Sequence, residues 1–593
     1  MSVNSQTSHS TSSSISGQPS TDVKSSFLKY ERVSNTIVSE FISSIPTSFV
    51  DIVNRVLHMH TYDNSHANDF ILNNRIKLQK FIRKFHLNAD TMTVDVNNKI
   101  ALLNDPRTKL FVSIHQPNLF AYSGVFKKIV LLQAVKDRIE KQEEEKNSNK
   151  KIVNFFLIVD HDFVEDMWIR IAQLPSIKHS LGRLELRLPV SNSKRWQMVC
   201  NIPPPGRTVL DQWKKQIMSW IKKNSSSYVI SSPSIKRRLI DNFNQFWNEV
   251  ELSYQKARSY SDFNSFLMSQ IVNKVWGYDT LFVRLTDISS VFEDGFKYLI
   301  SNFNRYSDAL RKAEGMFLHH GIDTGVSSSS YQNAPVWVHC KCGSKAPVKI
   351  YDKQALGGGV EGQETLLRGI CISCKNDICV NLGKKYTMDL LKEEEVIHRL
   401  SPRAIPILLL LSRDLGIACY ASGTGGSMDY AVVGSMVFKA LSVNTMPTVI
   451  WSSKDIYYGI GQSEALEFAQ LAKQSDIVPY LESLKQKDAE YRNKIIPIIA
   501  ERNHRIKSDE SIQTLLENLF SLKEQQREIR RAIKVTQKVK NAVNMSPCFV
   551  DYAVNFGVAN TEIQWRENLL NNNNLASPVV MKTTTKKAAI KEQ

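Results

Sequence analysis

Four cysteines occur in two close pairs, and no other pattern in the chain points to so specific a chemistry. Cys340 and Cys342 form the first pair, and Cys371 and Cys374 form the second. Two pairs of thiolates separated by a loop can supply the four tetrahedral ligands that Zn²⁺ takes in structural sites. We predict a structural zinc ion, because four protein ligands leave no position open for a substrate. Free thiols are the alternative, and the first pair is atypical because only one residue separates its cysteines.

Polar side chains follow two apolar segments that have the pattern of buried strands. They are His115, Gln116 and Asn118 after LFVSI, and Asp160, His161 and Asp162 after IVNFFLIV. The first cluster, with Lys127 on the helix that follows, can position an anionic substrate. In the second cluster one carboxylate can orient the imidazole while the other binds an amine or takes its proton. An ordinary hydrogen bond at a strand end is the alternative for each residue, but two such clusters favour a catalytic site.

A loop of small residues joins a third apolar segment to a helical one. It consists of Ser422, Gly423, Thr424, Gly425, Gly426 and Ser427, and Asp429 follows in the first helical turn. Amides of such a loop and of a helix N-terminus can hold a phosphate or a carboxylate, so we predict anion or nucleotide binding, with ATP or ADP as the candidate nucleotide. Asp429 would contact a ribose or an amine, or would act only as an acid at the positive helix end. A tight connection without a ligand is the alternative, because the loop matches neither a Walker A motif nor a dinucleotide fingerprint.

Apolar strands must bring these three clusters together. Segments 110–114, 152–159, 279–286 and 417–420 have the pattern of buried strands. The second is nearly all apolar, as is typical of a parallel strand covered on both faces. Ligands bind at the carboxyl edge of such sheets. We therefore predict an α/β fold with a Rossmann-like parallel sheet, in which the segments near residues 116, 161 and 425 meet at one pocket.

Low-complexity, helical and cysteine-containing segments divide the chain. The predicted parts are a disordered tail (1–24), an N-terminal helical region (25–104), the Rossmann-like core with a helical insert (105–334), a small zinc-ribbon insert (335–383), the second part of the core (384–458), a helical coiled-coil region (459–570) and a disordered tail (571–593). Residues 515–543 repeat apolar side chains at alternating four- and three-residue steps, with polar breaks. This pattern is typical of an antiparallel hairpin or of a homodimer contact. Burial of one face within the same chain is the alternative.

Composition restricts the classes of function. The 593 residues are enough for two or three compact units. No apolar run approaches the ~20 residues that span a bilayer, and the N-terminus has no apolar signal core. With eight cysteines in so long a chain there is no disulfide scaffold, so we expect a cytoplasmic protein without a membrane partner. The net charge of +18 permits nucleic-acid binding, but no nucleic-acid-reading motif accompanies it, so we expect small-molecule substrates.

Several of these motifs follow the order found in a known family. The chain resembles the bacillithiol-biosynthesis cysteine-adding enzymes over roughly residues 105–545. Gln116 matches one Gln of a family motif, the segment 160–163 matches an Asp-His-Asp-Phe motif, and 400–402 matches a Leu-Ser-Pro segment. The loop at 423–427 corresponds to a Gly-rich family loop but lacks its Glu. The zinc-ribbon insert lies outside the family pattern.

The resemblance implies a Rossmann-type core, a dimerising coiled coil and the ligation of cysteine to the amine of a glucosamine-malate conjugate. Amide formation needs a deprotonated amine and two aligned reactants. We predict that His161 or Asp162 serves as the base or orienting group and that Asp160 assists. The altered motifs leave the substrate open, so a related amine or amino acid is an alternative. Two other functions also stay open: a nucleic-acid-associated protein that uses the zinc ribbon and basic surface without catalysis, and a scaffold whose catalytic loop has decayed, as the missing loop Glu indicates.

Overall fold

The computed structural model describes residues 29–58, 65–145, 151–225, 232–353, 364–384, 394–457, 459–471, 477–508, 510–572 and 574–581. The predicted disordered tail at 1–24 lies outside these residues, as does the stretch 582–593 of the second predicted tail. Within the second tail, Val579 and Val580 pair in parallel with Asp455 and Ile456. A disordered tail that starts at residue 571 is therefore wrong for this stretch.

The described chain contains fourteen strands and twenty α-helices, and helices also occur in runs of three to five. In chain order the strands are β1 (Lys109–His115), β2 (Ile152–Ile158), β3 (Ile171–Pro175), β4 (Arg183–Arg187), β5 (Leu281–Arg284), β6 (Val336–His339), β7 (Lys345–Lys353), β8 (Glu364–Ile370), β9 (Asp377–Lys384), β10 (Leu400–Pro402), β11 (Ile417–Ser422), β12 (Thr448–Ile450), β13 (Asp455–Ile456) and β14 (Val579–Val580). The helices are α1 (Thr36–Ser43), α2 (Phe49–His58), α3 (Ser65–Asn88), α4 (Val94–Ala101), α5 (Ser123–Glu145), α6 (Met167–Arg170), α7 (Arg207–Ser225), α8 (Pro233–Lys256), α9 (Tyr260–Ser269), α10 (Glu293–Ser301), α11 (Phe303–His319), α12 (Ser328–Gln332), α13 (Glu394–Ile397), α14 (Ala404–Leu415), α15 (Gly426–Ala440), α16 (Ser463–Leu471), α17 (Ile477–Lys507), α18 (Gln513–Asn544), α19 (Phe549–Phe556) and α20 (Val558–Asn571).

A parallel sheet with the order β12-β11-β1-β2-β5 lies at the centre. The chain adds β2 and then β5 on one side of β1, and later adds β11 and β12 on the other side. The direction of addition reverses between β1 and β11, where Leu110 pairs with Ile417 and Ser113 with Ala421. The protein is therefore mixed α/β with a five-stranded parallel sheet, which confirms the predicted fold class at that level.

Alternate residues of the central strands enter two separate hydrophobic cores, because successive side chains of a strand point to opposite faces. Phe111 and Phe156 belong to the core that contains α5, α7, α8, α9, α19 and α20. Leu110, Val112 and Phe155 belong to the core that contains α3, α11, α14 and α15. Helices thus cover both faces, which explains why β2 is buried at every position.

One turn precedes β11 and another follows it, and together they fix this strand between two helices. Gly416 ends α14 in the left-handed region, at φ 60°, and β11 starts at the next residue. Glycine adopts this conformation without the steric cost that a Cβ would impose. The loop at 423–425 then follows β11, and α15 begins at Gly426. The loop is therefore anchored at both ends by buried elements.

The cysteines lie in a second, antiparallel sheet with the order β10-β6-β7-β8-β9, which we call the ribbon sheet. The turn between β6 and β7 carries the first cysteine pair, and the turn between β8 and β9 carries the second. Val336, Val338 and Val348 of this sheet share a core with α14. Leu400 of β10 pairs with Val338, just before α14 begins. The ribbon sheet is therefore packed against the body of the protein.

Helices α17 and α18 pack as an antiparallel pair within one chain. Arg530 donates to Asp488 and Tyr491 donates to Gln525, so residue numbers rise along one helix as they fall along the other. This hairpin agrees with the contact between helices that the heptad pattern predicts, whereas the supercoil and the homodimer stay predictions. None of the helices in the described ranges combines the length and the hydrophobicity required to cross a bilayer.

Candidate functional site

A cavity of about 920 Å³ lies at the carboxyl ends of β1, β2 and β11. Its wall includes His115 and Gln116 after β1, His161 and Asp162 after β2, and residues 423–427 after β11. The cavity lies where the strand order reverses, and parallel sheets leave a crevice for ligands at such a point. Three segments that are far apart in the chain thus meet at one pocket.

Lys128 on α5 gives the cavity wall a positive charge that no described carboxylate balances. It is 6% exposed, and its Nζ lies 3.3 Å from the carbonyl of Ile114; in the part of the chain that is described, no carboxylate pairs with it. Burial lowers the pKa of Lys128 to about 8. A buried cation without a partner is costly, and a bound anion would remove that cost.

The loop at 423–427 passes close to Lys128. A Cβ placed on Gly423 would lie 3.6 Å from the lysine Nζ. The loop is held by Ser427, whose Oγ accepts from the Gly423 amide at 3.0 Å and lies 3.2 Å from Ser422 Oγ, while Thr424 Oγ1 contacts Ser453 Oγ at 3.1 Å. The amides of Gly426 and Ser427 begin α15 and have no acceptor within the helix, so an anion can bind both them and Lys128.

Two predicted residues of this region do not line the cavity. Ser422 lies behind the loop and is 1% exposed. Asp429 accepts hydrogen bonds from Lys29, at 2.6 Å, and from the hydroxyl of Tyr30. Its carboxylate therefore ties the N-terminal segment to α15, which places Asp429 outside the candidate site and removes the predicted ligand contact.

Lys127 is also placed outside the cavity, although it precedes Lys128. Its Nζ donates to the Ser452 carbonyl at 2.5 Å and to Asp455 at 2.8 Å, and it lies 4.5 Å from the centre of the Trp451 ring. The side chains of Lys127 and Asp455 are each 1% exposed. Successive helix residues differ by about 100° in direction. Lys127 therefore forms a buried structural ion pair, contrary to its predicted role in substrate binding, and Lys128 lines the cavity instead.

Asp162 is the centre of a polar cluster at the end of β2. Its Oδ2 accepts from Gln116 Nε2 at 2.7 Å, and its Oδ1 lies 3.4 Å from Lys345 Nζ and 3.7 Å from His161 Nε2. Burial, together with the nearby charge of Lys345, holds the pKa of His161 well below its ordinary value, so the imidazole is neutral. The Nδ1 of His161 is buried without a hydrogen-bond partner among the described residues. This nitrogen can accept a proton or a hydrogen bond from a ligand.

Asp160 has a different environment from Asp162. It is 0% exposed and accepts hydrogen bonds from the amide of Thr286 at 3.0 Å and from its hydroxyl at 2.6 Å. Burial raises the pKa of Asp160 to about 6. Asp160 does not line the cavity, so the structure gives it a positioning role: it ties the end of β2 to the segment that follows β5.

In the cluster after β1, too, some predicted residues line the cavity and one does not. His115 and Gln116 line the cavity, and burial together with Lys128 lowers the pKa of His115 to about 3, which keeps the ring neutral. Asn118 is 2% exposed and donates to the hydroxyl of Tyr122 at 2.7 Å. Asn118 therefore holds the turn before α5 instead of lining the cavity.

Sequence reasoning missed the part of the cavity wall that comes from the ribbon sheet and from the residue before α14. Trp337 on β6, Lys345 on β7 and Arg403 before α14 all line it. The Lys345 Nζ and the Arg403 guanidinium lie 4.7 Å and 4.6 Å from the centre of the Trp337 ring. Further aromatic side chains in the wall are Tyr122, Trp168, Tyr306, Tyr420, Tyr430 and Trp451. The Leu-Ser-Pro segment directly before Arg403 could have directed attention to Arg403, whereas no sequence pattern marked Lys345.

The four cysteine sulfurs lie within 4.8 Å of one another. The Sγ atoms are 3.6 Å apart between Cys340 and Cys374 and between Cys342 and Cys371. Zinc bonds of ~2.3 Å in a tetrahedron would space two sulfurs by about 3.8 Å. The cluster can therefore bind a metal ion such as zinc, as predicted. Cys379 is exposed on β9 and lies outside the cluster.

Comparison with protein-family models and with curated proteins finds no match for the chain. The resemblance to the cysteine-adding enzymes therefore stays a prediction. The cavity combines a lysine that no carboxylate of the described residues pairs with, a neutral imidazole beside a carboxylate, and an aromatic wall.

Proposed function

We propose that the protein is a small-molecule ligase that forms an amide between an amino acid, cysteine in the first instance, and a small anionic amine such as a glucosamine-malate conjugate. One observation carries the proposal: a single cavity is lined by Lys128, which has no carboxylate partner among the described residues, and by the pair of His161 and Asp162. An anionic amine needs both features, because its anion must be bound while its nitrogen loses a proton.

Each side chain of the pair has a separate role in this reaction. Asp162, oriented by Gln116, binds the substrate ammonium group. The neutral His161 accepts one proton at Nδ1, and the amine then forms a bond to the carboxyl carbon of the amino acid. The carbon–oxygen bond of the carboxyl group breaks, and the second proton of the amine leaves with that oxygen. The carboxyl oxygen must leave as a better group than hydroxide. We include ATP as the co-substrate. Transfer of its γ-phosphoryl group to the carboxyl oxygen would release ADP and let that oxygen leave as phosphate, and the loop at 423–427 suits phosphate.

The fold supports this proposal at a general level. Numbered along the chain, the sheet strands have the order 3-2-1-4-5, which is that of doubly wound nucleotide-binding sheets, so we assign the core as Rossmann-like. We assign the metal at the four cysteines as structural Zn²⁺. A homodimer through α17 and α18 completes the proposal, since Phe520 on this hairpin is 68% exposed.

The rival function, nucleic-acid binding by the ribbon sheet, is weakened by how that sheet is packed. Gln197 donates to the Cys342 carbonyl at 3.0 Å, and Lys345 and Trp337 line the cavity. A recognition module would present such side chains to solvent. Binding of RNA or DNA that falls steeply with salt, without small-molecule turnover, would nevertheless establish the rival.

Mass spectrometry of reaction mixtures tests the ligase. Purified protein is incubated with cysteine and the glucosamine-malate conjugate, with and without ATP, and the condensed product is measured. His161→Gln should lower kcat by about 10²-fold or more, since a general base contributes that much. Lys349→Met, on the exposed side of β7, is the matched control and should leave turnover unchanged. Absence of product across a panel of amino acids, from folded and metal-loaded protein, would refute the proposal.

A further inference from the structure

The ribbon sheet forms part of the cavity wall, although the cysteines themselves do not line it. Trp337 lies on β6 and Lys345 is the first residue of β7. The turn between these strands contains Cys340 and Cys342, and the pair formed by His339 and Lys345 is the last one before that turn. The position of Lys345 is therefore set by the same turn that presents two of the metal ligands.

A second set of contacts holds this turn against the end of β2. Gln197 donates to the Cys342 carbonyl, and the Met198 amide and the Asn201 side chain donate to the Gly343 carbonyl at 2.9 Å and 3.0 Å. The Cys200 amide donates to the Asp160 carbonyl at 3.1 Å. The turn is thus docked on a segment that is itself fixed to the central sheet. Loss of its shape would be transmitted to the cavity wall.

The charges at this end of the cavity do not cancel. Lys345 is 2% exposed, and Asp162 is the carboxylate that compensates it. Arg403 donates to the Ser329 carbonyl at 3.0 Å and, among the residues described, has no carboxylate partner. Both cations lie over Trp337, so the ribbon end of the cavity keeps one net positive charge in a partly buried place.

We propose that Trp337, Lys345 and Arg403 form an oxyanion subsite, for a carboxylate or a phosphate group, and that this subsite exists only while the four cysteines hold a metal ion. The inference deepens the proposed function and rests on it, since the same cavity is the substrate site. Arg403 presents a planar fork of donors suited to an oxyanion, and stacking on an indole restricts its orientation. The metal fixes the turn that places Lys345 and Trp337, because its sulfur ligands come from the two turns β6–β7 and β8–β9 and would tie these turns together.

Lys128 provides an internal comparison for this subsite. It lies on α5 beside the parallel sheet, and its position depends on strands that carry no metal ligand. Metal removal should therefore abolish anion binding at the ribbon end and spare binding at Lys128.

Calorimetric titration with inorganic phosphate and, in a separate arm, with malonate tests the proposal. Metal-loaded protein should bind an anion at both ends. Arg403→Gln should weaken the ribbon site by roughly tenfold or more, as expected for a lost hydrogen bond to a charged group. Lys128→Met should remove only the other site, and metal-free protein should behave as Arg403→Gln does. Tighter binding of phosphate or of malonate at the ribbon site identifies the group that it takes.

Two results would overturn the proposal: metal-free protein that keeps both sites, or Arg403→Gln with unchanged stoichiometry and affinity. If metal removal also abolishes the Lys128 site, the variant Lys345→Met at full metal content decides the question. It must lose anion binding at the ribbon site and keep anion binding at Lys128. Lys349→Met on the same strand is its control. Anion binding at both ends without ligase turnover would refute the proposed function and leave the subsite standing, whereas turnover without the ribbon site would refute the subsite.

Discussion

The two ends of the cavity are positive for different structural reasons. At the sheet end, Lys128 and the loop at 423–427 lie at the carboxyl ends of parallel strands whose position is fixed by two cores. At the ribbon end, Trp337 and Lys345 come from an antiparallel sheet that carries four cysteines, and Arg403 stacks on that sheet. The position of the sheet end is thus set by the central fold, whereas the position of the ribbon end is set by a sheet whose turns carry the four cysteines, which we propose hold a metal ion.

The largest expected effect separates the two adjacent lysines of the sheet end. Lys127→Met should destabilise the protein by about 3–5 kcal/mol, because Asp455 would stay buried without its cation. Among the described residues no carboxylate pairs with Lys128, so the free energy of unfolding of Lys128→Met should be unchanged or higher. Urea denaturation of both variants gives the comparison. Equal destabilisation would show that Lys128 also has a structural ion pair.

Removal of the metal should affect the ribbon end alone. Chelation should release one metal ion per chain and accelerate hydrogen exchange of the amides in β6 to β9, because the turns between these strands lose their common ligand. Amides of β1 and β2 should stay protected. Mass spectrometry of exchanging peptides measures both. Uniform acceleration across the central sheet would contradict the independence of the two ends.

A pH titration should affect the sheet end alone. Sulfate binding at Lys128 needs the protonated amine, so affinity should fall as pH rises through about 8, the pKa that burial gives this lysine. Sulfate keeps its charge throughout, and its binding shifts the pKa of Lys128 upward. Lys128→Arg should abolish the pH dependence, since a guanidinium stays protonated. A midpoint near the usual ~10.4 of lysine would contradict the burial of this charge.

The smallest expected effect concerns two glycines of the loop. A Cβ on Gly423 would lie 3.2 Å from Ser427 Oγ and 3.4 Å from Lys128 Cε, whereas nothing lies within 4 Å of one on Gly425. Gly423→Ala should therefore weaken sulfate binding by a few-fold, and Gly425→Ala should leave it unchanged. Calorimetry of both variants measures the difference. The reverse order would show that the anion binds nearer to Gly425.

Much of the fold could be predicted because buried parallel strands are continuous apolar runs. The segments predicted at 110–114 and 152–159 correspond to β1 and β2 within a residue or so at each end. The edge strand β12, Thr448–Ile450, was missed, because three residues carry too little pattern to distinguish a strand from a loop. The convergence of three strand ends followed from the parallel arrangement itself.

The side chains of the site were harder to predict, and Lys127 shows why. From Val125 to Lys136 every residue of α5 is buried, so no polar stripe marks the face that meets the cavity. The choice between Lys127 and Lys128 therefore required the position of Asp455, which lies far along the chain. Lys345 and Arg403 were missed for a related reason: they reach the cavity through the docking of the ribbon sheet, which no local pattern records.

The central position of β1 has a consequence for synthesis of the protein. One edge of β1 pairs with β2, but the other stays open until residues 417–422 emerge as β11. During that interval a nascent chain exposes an unpaired, apolar strand edge, which is prone to pair with another chain. Truncated forms that end before β11 should therefore aggregate, and chaperones that shield strand edges should improve the yield of the full-length protein.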